Sequence, residues 1–183
     1  MKKINYRTLL LPLFFLPLLF SSCTMGDWRV YETSEFSIEF PGIVNDTVTM
    51  EGKYAGSKSY YEPVPGSLDS NLYYSVSMYS LPDSLSADND VKGIFDLDAN
   101  VYAWSIGGTL TDTGRVVSSG DVKGMEYKVT IAGNSGVSTI RKFIIGRHLY
   151  TLLVVTENKN LENHAIRKFM DSFKLKKKAQ VKK

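Results

Sequence analysis

The amino-acid sequence predicts an α+β fold in which an antiparallel β-sheet is flanked by an internal helix and a C-terminal helix. Three observations predict it. Short segments with alternating apolar and polar residues fill most of the chain. Two other segments show the three- and four-residue apolar spacing of a helix. Short glycine-rich turns between the later strands suit antiparallel neighbours. Strands, a helix, further strands and a last helix make an α+β plan.

The first strands are predicted before the proline–glycine pair that follows residue 40. Residues 28–31 are strand-like, and residues 36–40 alternate strictly, so that Phe36, Ile38 and Phe40 share one face. The proline–glycine pair ends the run. We therefore expect a half-buried strand over residues 36–40.

A hairpin and a long strand follow. The hairpin spans residues 46–62 and is broken by the Glu-Gly-Lys sequence at residues 51–53. The strand runs over residues 72–81 until Pro82 stops it. Its alternation predicts two faces, with Leu72, Tyr74, Val76 and Met78 on one and Tyr73, Ser75, Ser77 and Tyr79 on the other.

An amphipathic helix is predicted between residues 86 and 104, followed by a glycine pair that stops it. Such a helix turns its apolar stripe toward the core. The predicted stripe consists of Val91, Ile94, Leu97 or Asp98, Val101 and Trp104.

The remaining chain contains five strand-like segments and a last helix. The strands are expected at residues 109–111, 115–117, 125–131, 137–145 and 149–156. The last of these is almost wholly apolar, so we expect it at the centre of the sheet with helices over both faces. The last helix is predicted over residues 160–173, with an apolar stripe of Leu161, Ala165, Ile166, Phe169 and Phe173.

The N-terminus has the architecture of an export signal. Positive residues at the start precede an apolar run over residues 9–20 and the small pair Ser21 and Ser22. A retained membrane-spanning helix needs roughly 20 apolar residues, and this run is shorter and contains two prolines. We therefore expect a signal peptide over residues 1–22.

Cys23 is the chain's single cysteine, and it follows that signal directly. Residues 20–23 (FSSC) resemble a bacterial lipobox, which implies cleavage before Cys23 and acylation of its thiol. An ordinary secretory signal, cleaved without lipidation, is the alternative. With two or three acyl chains the anchor would be stable, because each buried methylene contributes about 0.8 kcal/mol.

This reasoning predicts four parts of the chain. Residues 1–22 form the cleaved signal peptide, residues 23–27 the lipidated N-terminus and a short tether, residues 28–175 a single α+β domain, and residues 176–183 a basic tail. The mature chain is long enough for one domain with its own core. With its single cysteine acylated, it has no internal disulfide to support the fold.

Charge is distributed unevenly along the chain. The whole sequence has 22 basic and 19 acidic residues, but lysines are concentrated near residue 183, which leaves an acidic body. A nucleic-acid reader would need a basic face with interleaved aromatics, so we expect no nucleic-acid partner. The basic tail can contact anionic lipid at about 1 kcal/mol per lysine. A solvated, disordered end is the simpler expectation.

Several motifs together resemble the Mog1/PsbP-like superfamily, including bacterial envelope lipoproteins of that type. They are residues 36–42 (FSIEFPG), the aromatic strand ending at Pro82 before a helix, residues 124–126 (GME), residues 146–150 (GRHLY) and residues 169–175 (FMDSFKL). The resemblance implies an antiparallel sheet flanked by helices, as an α/β/α sandwich. Some relatives serve photosystem II and others a nuclear GTPase, but no residue set here carries either role over, and fold alone does not set function.

Catalytic and metal-binding motifs are not evident in the sequence. His148 and His164 lack the spacing that would place two metal ligands on one helix face. The sequence lacks a Gly-x-Ser-x-Gly nucleophile motif, and acylation would remove Cys23 as a nucleophile. We expect no enzymatic activity and no cofactor.

The acidic stretch at residues 88–98 resembles a calcium-binding loop only in part. Asp88 and Asp90 would suit the first two ligand positions, but Lys92 stands where the third ligand is required and Ala99 where a bidentate glutamate is required. Acidic residues near a helix N-terminus are also explained by the helix dipole. We therefore expect no metal site.

Tyrosines are the remaining distinctive feature, with 11 in the chain. A cluster consists of Tyr54, Tyr60, Tyr61, Tyr73, Tyr74 and Tyr79. Sheet packing explains much of it because aromatics favour strands. Contact with a protein partner or stacking against a glycan are the alternatives. Alternation places Tyr73 and Tyr79 opposite Tyr74, so they are the candidate contact residues.

The sequence thus predicts a lipid-anchored protein of the bacterial envelope without enzymatic activity. The expected role is to bind or support another envelope component, with Tyr73 and Tyr79 at the contact. The alternative is a small-ligand or glycan binder that uses the same tyrosines. The expected partners are the membrane, through lipid on Cys23, and an envelope protein. The residue after Cys23 is Thr24 and not the aspartate that often retains lipoproteins at an inner membrane, which favours the outer membrane in a Gram-negative cell.

Overall fold

The structure, a computed structural model, describes residues 27–51, 55–67, 69–82, 90–157 and 163–176. Within them the chain forms eleven strands, two α-helices and one 3-10 turn. The strands are β1 (Arg29–Glu32), β2 (Phe36–Phe40), β3 (Asp46–Met50), β4 (Gly56–Tyr61), β5 (Asn71–Ser80), β6 (Thr109–Leu110), β7 (Arg115–Ser119), β8 (Val122–Thr130), β9 (Val137–Ile145), β10 (His148–Thr156) and β11 (Lys174–Leu175). The helices are α1 (Val91–Ser105) and α2 (His164–Ser172), and the 3-10 turn is Ala132–Asn134.

Some predictions fall outside these residues. They are the signal peptide, Cys23 with most of its tether, the basic tail after residue 176, Tyr54, Leu161, and Asp88 of the calcium-like loop.

The main sheet has eight antiparallel strands. Their order is β3-β4-β5-β10-β9-β8-β6, and β7 also pairs with β8. The predicted 46–62 hairpin is present as β3 and β4, and β10 lies centrally between β5 and β9. An antiparallel sheet with two helices confirms the predicted α+β class.

One detail of β5 differs from the prediction. The register between β10 and β5 shifts, because Val155 pairs with Tyr73 while Thr156 pairs with Asn71. The shift leaves Leu72 outside the pairing, and its side chain is 46% exposed. The prediction that Leu72 shares the buried face of Tyr74 is therefore wrong, although Tyr74 and Val76 are buried as expected.

One face of the main sheet is covered by α2 together with a second, three-stranded sheet of order β1-β2-β11. The core between these layers is aromatic: the Phe169 ring lies 5.1 Å from that of Phe40 and 5.3 Å from that of Tyr74, both edge-on. The sequence predicted helices alone over this face. A sheet shares the cover because β11, two residues long, adds to β2 after α2 ends.

Helix α1 covers part of the opposite face. Asp90 caps its N-terminus by accepting a 3.0 Å hydrogen bond from the Gly93 amide. Its buried residues are Phe95, Ala99 and Ala103, which pack with apolar side chains of β8, β9 and β10. The two alanines let the helix lie close to the sheet.

The predicted apolar stripe of α1 mostly faces away from the sheet. Leu97 is 65% exposed, Val101 54% and Trp104 84%. The pattern favoured the bulky side chains, whereas the face that packs consists of one phenylalanine and two alanines at four-residue steps. Ile94 is partly buried. The predicted stripe contained either Leu97 or Asp98, and Asp98 is the one that turns toward the sheet.

Helix α2 agrees with its prediction within the described residues. Asn163 caps it by accepting a 2.9 Å hydrogen bond from the Ile166 amide. Ile166, Phe169 and Met170 are buried, and Phe173, directly after the helix, is 2% exposed. Neither helix of the described chain is long and apolar enough to cross a membrane.

Candidate interaction surface

Three apolar side chains on the outer side of α1 form the most exposed apolar feature of that helix. Leu97, Val101 and Trp104 follow at steps of four and three residues, so they share one helix face. We call them the α1 ridge. Each is more than half exposed. Contiguous exposed apolar side chains of this kind mark interaction sites more often than scattered single ones do.

Polar contacts on both flanks of α1 fix the orientation of the ridge. On one flank Asp98 forms an ion pair with Lys142 of β9, and Tyr102 shares a 2.9 Å hydrogen bond with Ser138. On the other flank the Tyr127 hydroxyl donates a 2.7 Å hydrogen bond to Asp96. Rotating the helix to bury the ridge would break all three contacts.

Lys142 is the most buried charge of these flanks. Its side chain is 1% exposed, whereas that of Asp98 is 45% exposed. Burial lowers the pKa of Lys142, and the Asp98 carboxylate opposes that shift. The pair therefore couples the position of α1 to the charge state of one lysine.

A second feature lies on β4 and β5, and we call Lys58, Tyr60 and Tyr73 the tyrosine patch. The rings of Tyr60 and Tyr73 are stacked with centroids 5.7 Å apart and an interplanar angle of 20°. The Lys58 ammonium lies 5.1 Å from the centre of the Tyr73 ring, within cation–π range. All three side chains are partly exposed.

The tyrosine patch lies beside α1. Burial raises the pKa of the Tyr102 hydroxyl of α1, and the nearby Lys58 ammonium opposes that shift. Tyr73 also lies on the face of β5 opposite Tyr74, which packs in the core on the α2 side. The patch and the α1 ridge therefore lie on the same side of the main sheet.

The two predicted contact residues are separated by the structure. Tyr73 and Tyr79 share a face of β5 and both are partly exposed. Six residues separate them, which is about 20 Å along a strand. Tyr73 belongs to the tyrosine patch, while Tyr79 lies nearer the opposite end of β5, where it pairs with Gly56 and Leu149.

The histidines and acidic residues form no metal centre within the described chain. His148 begins β10, 6.4 Å from the Tyr150 ring, and His164 begins α2. No group of three His, Cys, Asp or Glu side chains among the described residues is placed to hold a metal ion. Asp90 caps α1, as acidic residues at a helix N-terminus can. Asp96 and Asp98 lie further along the helix and contact Tyr127 and Lys142, so the helix dipole does not account for them.

A buried charged cluster on the other face of the sheet was not predicted. Arg141, 8% exposed, donates two hydrogen bonds to Glu126 at 2.9 and 2.8 Å. It also donates to the Met170 carbonyl at 3.0 Å and to Asp171 at 2.8 Å. These bonds fasten the end of α2 to β8 and β9, which is a structural role.

Comparison with known proteins finds similarity among solved structures. No protein-family model matches the chain, and no curated protein matches it. The chain is similar to a protein from Bacteroides thetaiotaomicron VPI-5482 with a crystal structure at 1.50 Å resolution, at 13% identity and a TM-score of 0.44. The alignment covers 84% of this chain and 49% of that one. The chain thus spans about half the length of that protein.

Proposed function

We propose that this protein is a lipid-anchored component of the bacterial envelope that acts without catalysis, by binding or supporting another envelope protein. The α1 ridge is the contact surface, with the tyrosine patch beside it. The observation that carries the proposal is the exposure of three apolar side chains on one face of a helix whose opposite face already packs on the sheet.

The chemistry of the ridge suits a protein partner. Trp104 offers a large apolar body with one polar N–H group, and tryptophan is enriched among residues that dominate binding energy. Leu97 and Val101 extend the same apolar strip along the helix axis. The polar and aromatic side chains of the tyrosine patch would form a rim beside this strip.

The cellular location of the protein is part of the same proposal. The signal architecture and the lipobox-like residues before Cys23 support acylation of that cysteine, and Thr24 at the next position favours the outer membrane of a Gram-negative cell. We also propose a Mog1/PsbP-like sandwich as the fold family, supported by the motifs quoted from the sequence and by the layered α+β architecture.

The stacked pair of Tyr60 and Tyr73 supports a second candidate function, the binding of a glycan or small ligand. Flat aromatic faces stack against sugar rings, and Lys58 adds a hydrogen-bond donor beside them. In this alternative the tyrosine patch is the binding site and the α1 ridge has no part in it.

Site-specific photo-crosslinking in intact cells tests the leading proposal. A photoreactive amino acid replaces Trp104 in the lipidated protein, and the matched control places it at Val64, an exposed apolar residue in a loop after β4. We expect a discrete protein adduct from position 104 and not from position 64, and its loss in a Cys23→Ala background. Equal adducts from both positions, or none from position 104, would contradict the proposal. Glycan binding lost on Tyr73→Ala would then favour the alternative.

A further inference from the structure

The three-stranded sheet has an exposed apolar corner where the chain leads into β1. Arg29, the first residue of β1, pairs with Phe40 at the end of β2. Val30 is 62% exposed and Ile43, just beyond β2, is 67% exposed. The segments at residues 29–31 and 42–44 line a common depression of about 250 Å³. Val30 and Ile43 therefore belong to one continuous surface.

Trp28 fixes the path of the chain into this corner. Its ring packs partly buried against the core on the α2 side of the main sheet. The Lys168 ammonium of α2 lies 4.5 Å from the centre of that ring. The chain is thus fastened to the folded layers at residue 28.

The distance from this point to Cys23 is short. Five residue steps separate Cys23 from Trp28, and an extended chain covers at most about 3.6 Å per step, or about 18 Å in all. Acyl chains on Cys23 would lie in the bilayer, so the corner is held within a short reach of the head groups. A corner so close to the membrane and lined by Val30 and Ile43 is suited to contact it.

We propose that the surface formed by Trp28, Arg29, Val30 and Ile43 rests on the lipid head groups and sets the orientation of the protein on its membrane. This inference rests on the proposed lipid anchor. Tryptophan and the stem of arginine suit the boundary between head groups and acyl chains, and the two aliphatic side chains gain from partial burial there. We call this surface the anchor-proximal surface.

Charge contributes little to this contact. Arg29 is exposed, but Asp27 is exposed beside it. Lys168, over the Trp28 ring, is 3.5 Å from the Glu39 carboxylate. Because both signs are present, the apolar side chains would make the contact, and a zwitterionic bilayer is sufficient for it.

The two tryptophans of the chain report on opposite sides of the molecule. Trp28 belongs to the α2 side of the main sheet, and Trp104 lies on α1, across that sheet. The proposed orientation therefore turns the α1 ridge away from the membrane that holds the anchor. The ridge is then open to a partner protein.

Quenching of tryptophan fluorescence by brominated phosphatidylcholine tests the orientation. The lipidated full-length protein is reconstituted in vesicles of that lipid as Trp104→Phe, which reports Trp28, and as Trp28→Phe, which reports Trp104. We expect at least about twofold stronger quenching of Trp28 than of Trp104, because only the anchor-proximal surface meets the lipid. Equal quenching, stronger quenching of Trp104, or none in either variant would overturn the inference.

A second measurement keeps the test independent of the Trp28→Phe variant. An environment-sensitive fluorophore is attached at Ile43→Cys, or at Val116→Cys in β7 as the matched exposed control, since acylation leaves Cys23 unreactive. A blue shift on vesicle binding is expected at position 43 and not at position 116, because Val116 pairs with Met125 and so lies on the α1 side of the main sheet. The same shift at both positions, or none at position 43, contradicts the proposed orientation.

The anchor itself is checked on the same samples. Mass spectrometry of the N-terminal peptide shows whether Cys23 carries acyl chains. An unmodified Cys23 would overturn both the proposed anchor and this inference. An acylated, vesicle-bound protein with unquenched Trp28 would overturn the orientation alone and leave the anchor in place.

Discussion

The two helices use their apolar residues differently. Helix α2 has nine residues and buries Ile166, Phe169 and Met170 in the aromatic core. Helix α1 has 15 residues, buries one phenylalanine and two alanines, and exposes Leu97, Val101 and Trp104. Folding accounts for the large apolar side chains of α2 but not for those of the α1 ridge. This surplus is the reason to assign binding to α1.

The largest expected effect is on α2. Phe169→Ala should destabilise the protein by about 3 to 5 kcal/mol, because it removes a fully buried ring that contacts Phe40 and Tyr74 and leaves a cavity. Urea unfolding monitored by circular dichroism would show a lower midpoint with an unchanged slope. A loss below about 1 kcal/mol would mean that the aromatic core is not packed as described.

The ion pair that orients α1 should give the next largest effect. Asp98→Ala leaves the buried Lys142 without its partner and should cost about 3 kcal/mol near neutral pH, at the low end for such pairs because Asp98 is half exposed. The control is Lys142→Met, which replaces the charge with an apolar chain of similar length and should be neutral or stabilising. Equal destabilisation by both variants would contradict this account.

The cost of Asp98→Ala should also depend on pH. Burial lowers the folded-state pKa of Lys142, and without Asp98 that pKa falls further. The unfolded chain then binds more protons than the folded one in the window below the ordinary lysine pKa of about 10.4, so stability rises with pH across it. The difference in unfolding free energy between the Asp98→Ala variant and the wild type should therefore become smaller as the pH of the measurement is raised from neutral to about 10. A gap that widens would refute the assignment to Lys142.

The helix caps offer a smaller comparison. Asn163 caps α2 and also donates a 3.0 Å hydrogen bond to Asn71, which is 2% exposed, whereas Asp90 caps α1 at an exposed site. Asn163→Ala should cost about 2 kcal/mol and Asp90→Ala about 1 kcal/mol. Thermal unfolding of both variants checks the order. The reverse order would mean that the contact with Asn71 adds no stability.

The smallest effect on stability is expected at the α1 ridge. Trp104→Ala removes a larger side chain than Phe169→Ala does, yet it should change the unfolding free energy by less than about 0.5 kcal/mol, because Trp104 is 84% exposed. Chemical denaturation at low protein concentration measures it. A cost of several kcal/mol would show that the ridge packs within the folded chain and would remove the reason to assign binding to it.

Much of the fold follows from local sequence pattern. Alternation in β2 and β5 and the apolar run of β10 give the right strands and, apart from Leu72, the right faces. The three-stranded sheet escaped prediction because β11 has two residues and its pairing with β2 connects distant parts of the chain. Local alternation carries no information on such a pairing.

The candidate site was predicted only in part. Alternation placed Tyr73 on the partly exposed face of β5, and its six-residue spacing from Tyr79 already implied about 20 Å between the two along a strand. The stacking of Tyr73 on Tyr60 could not be predicted, because it depends on how β4 pairs with β5. The α1 ridge was assigned to the core because a bulky apolar stripe is normally buried. The sequence did contain one signal of the face that packs on the sheet. Ala99 and Ala103 follow Phe95 at steps of four residues, and small side chains at this spacing allow a helix to pack closely.

The contact between Glu39 and Ser172 has a consequence for the order in which the protein acquires its structure. The Glu39 amide donates a 2.9 Å hydrogen bond to the Ser172 hydroxyl across 133 positions of the chain, next to the strand pairing of β2 with β11. A chain that crosses a membrane from its N-terminus, as we propose, delivers β2 long before β11. The second sheet can therefore close only after the chain as far as β11 has emerged on the far side of the membrane, so its pairing is a late step in folding there.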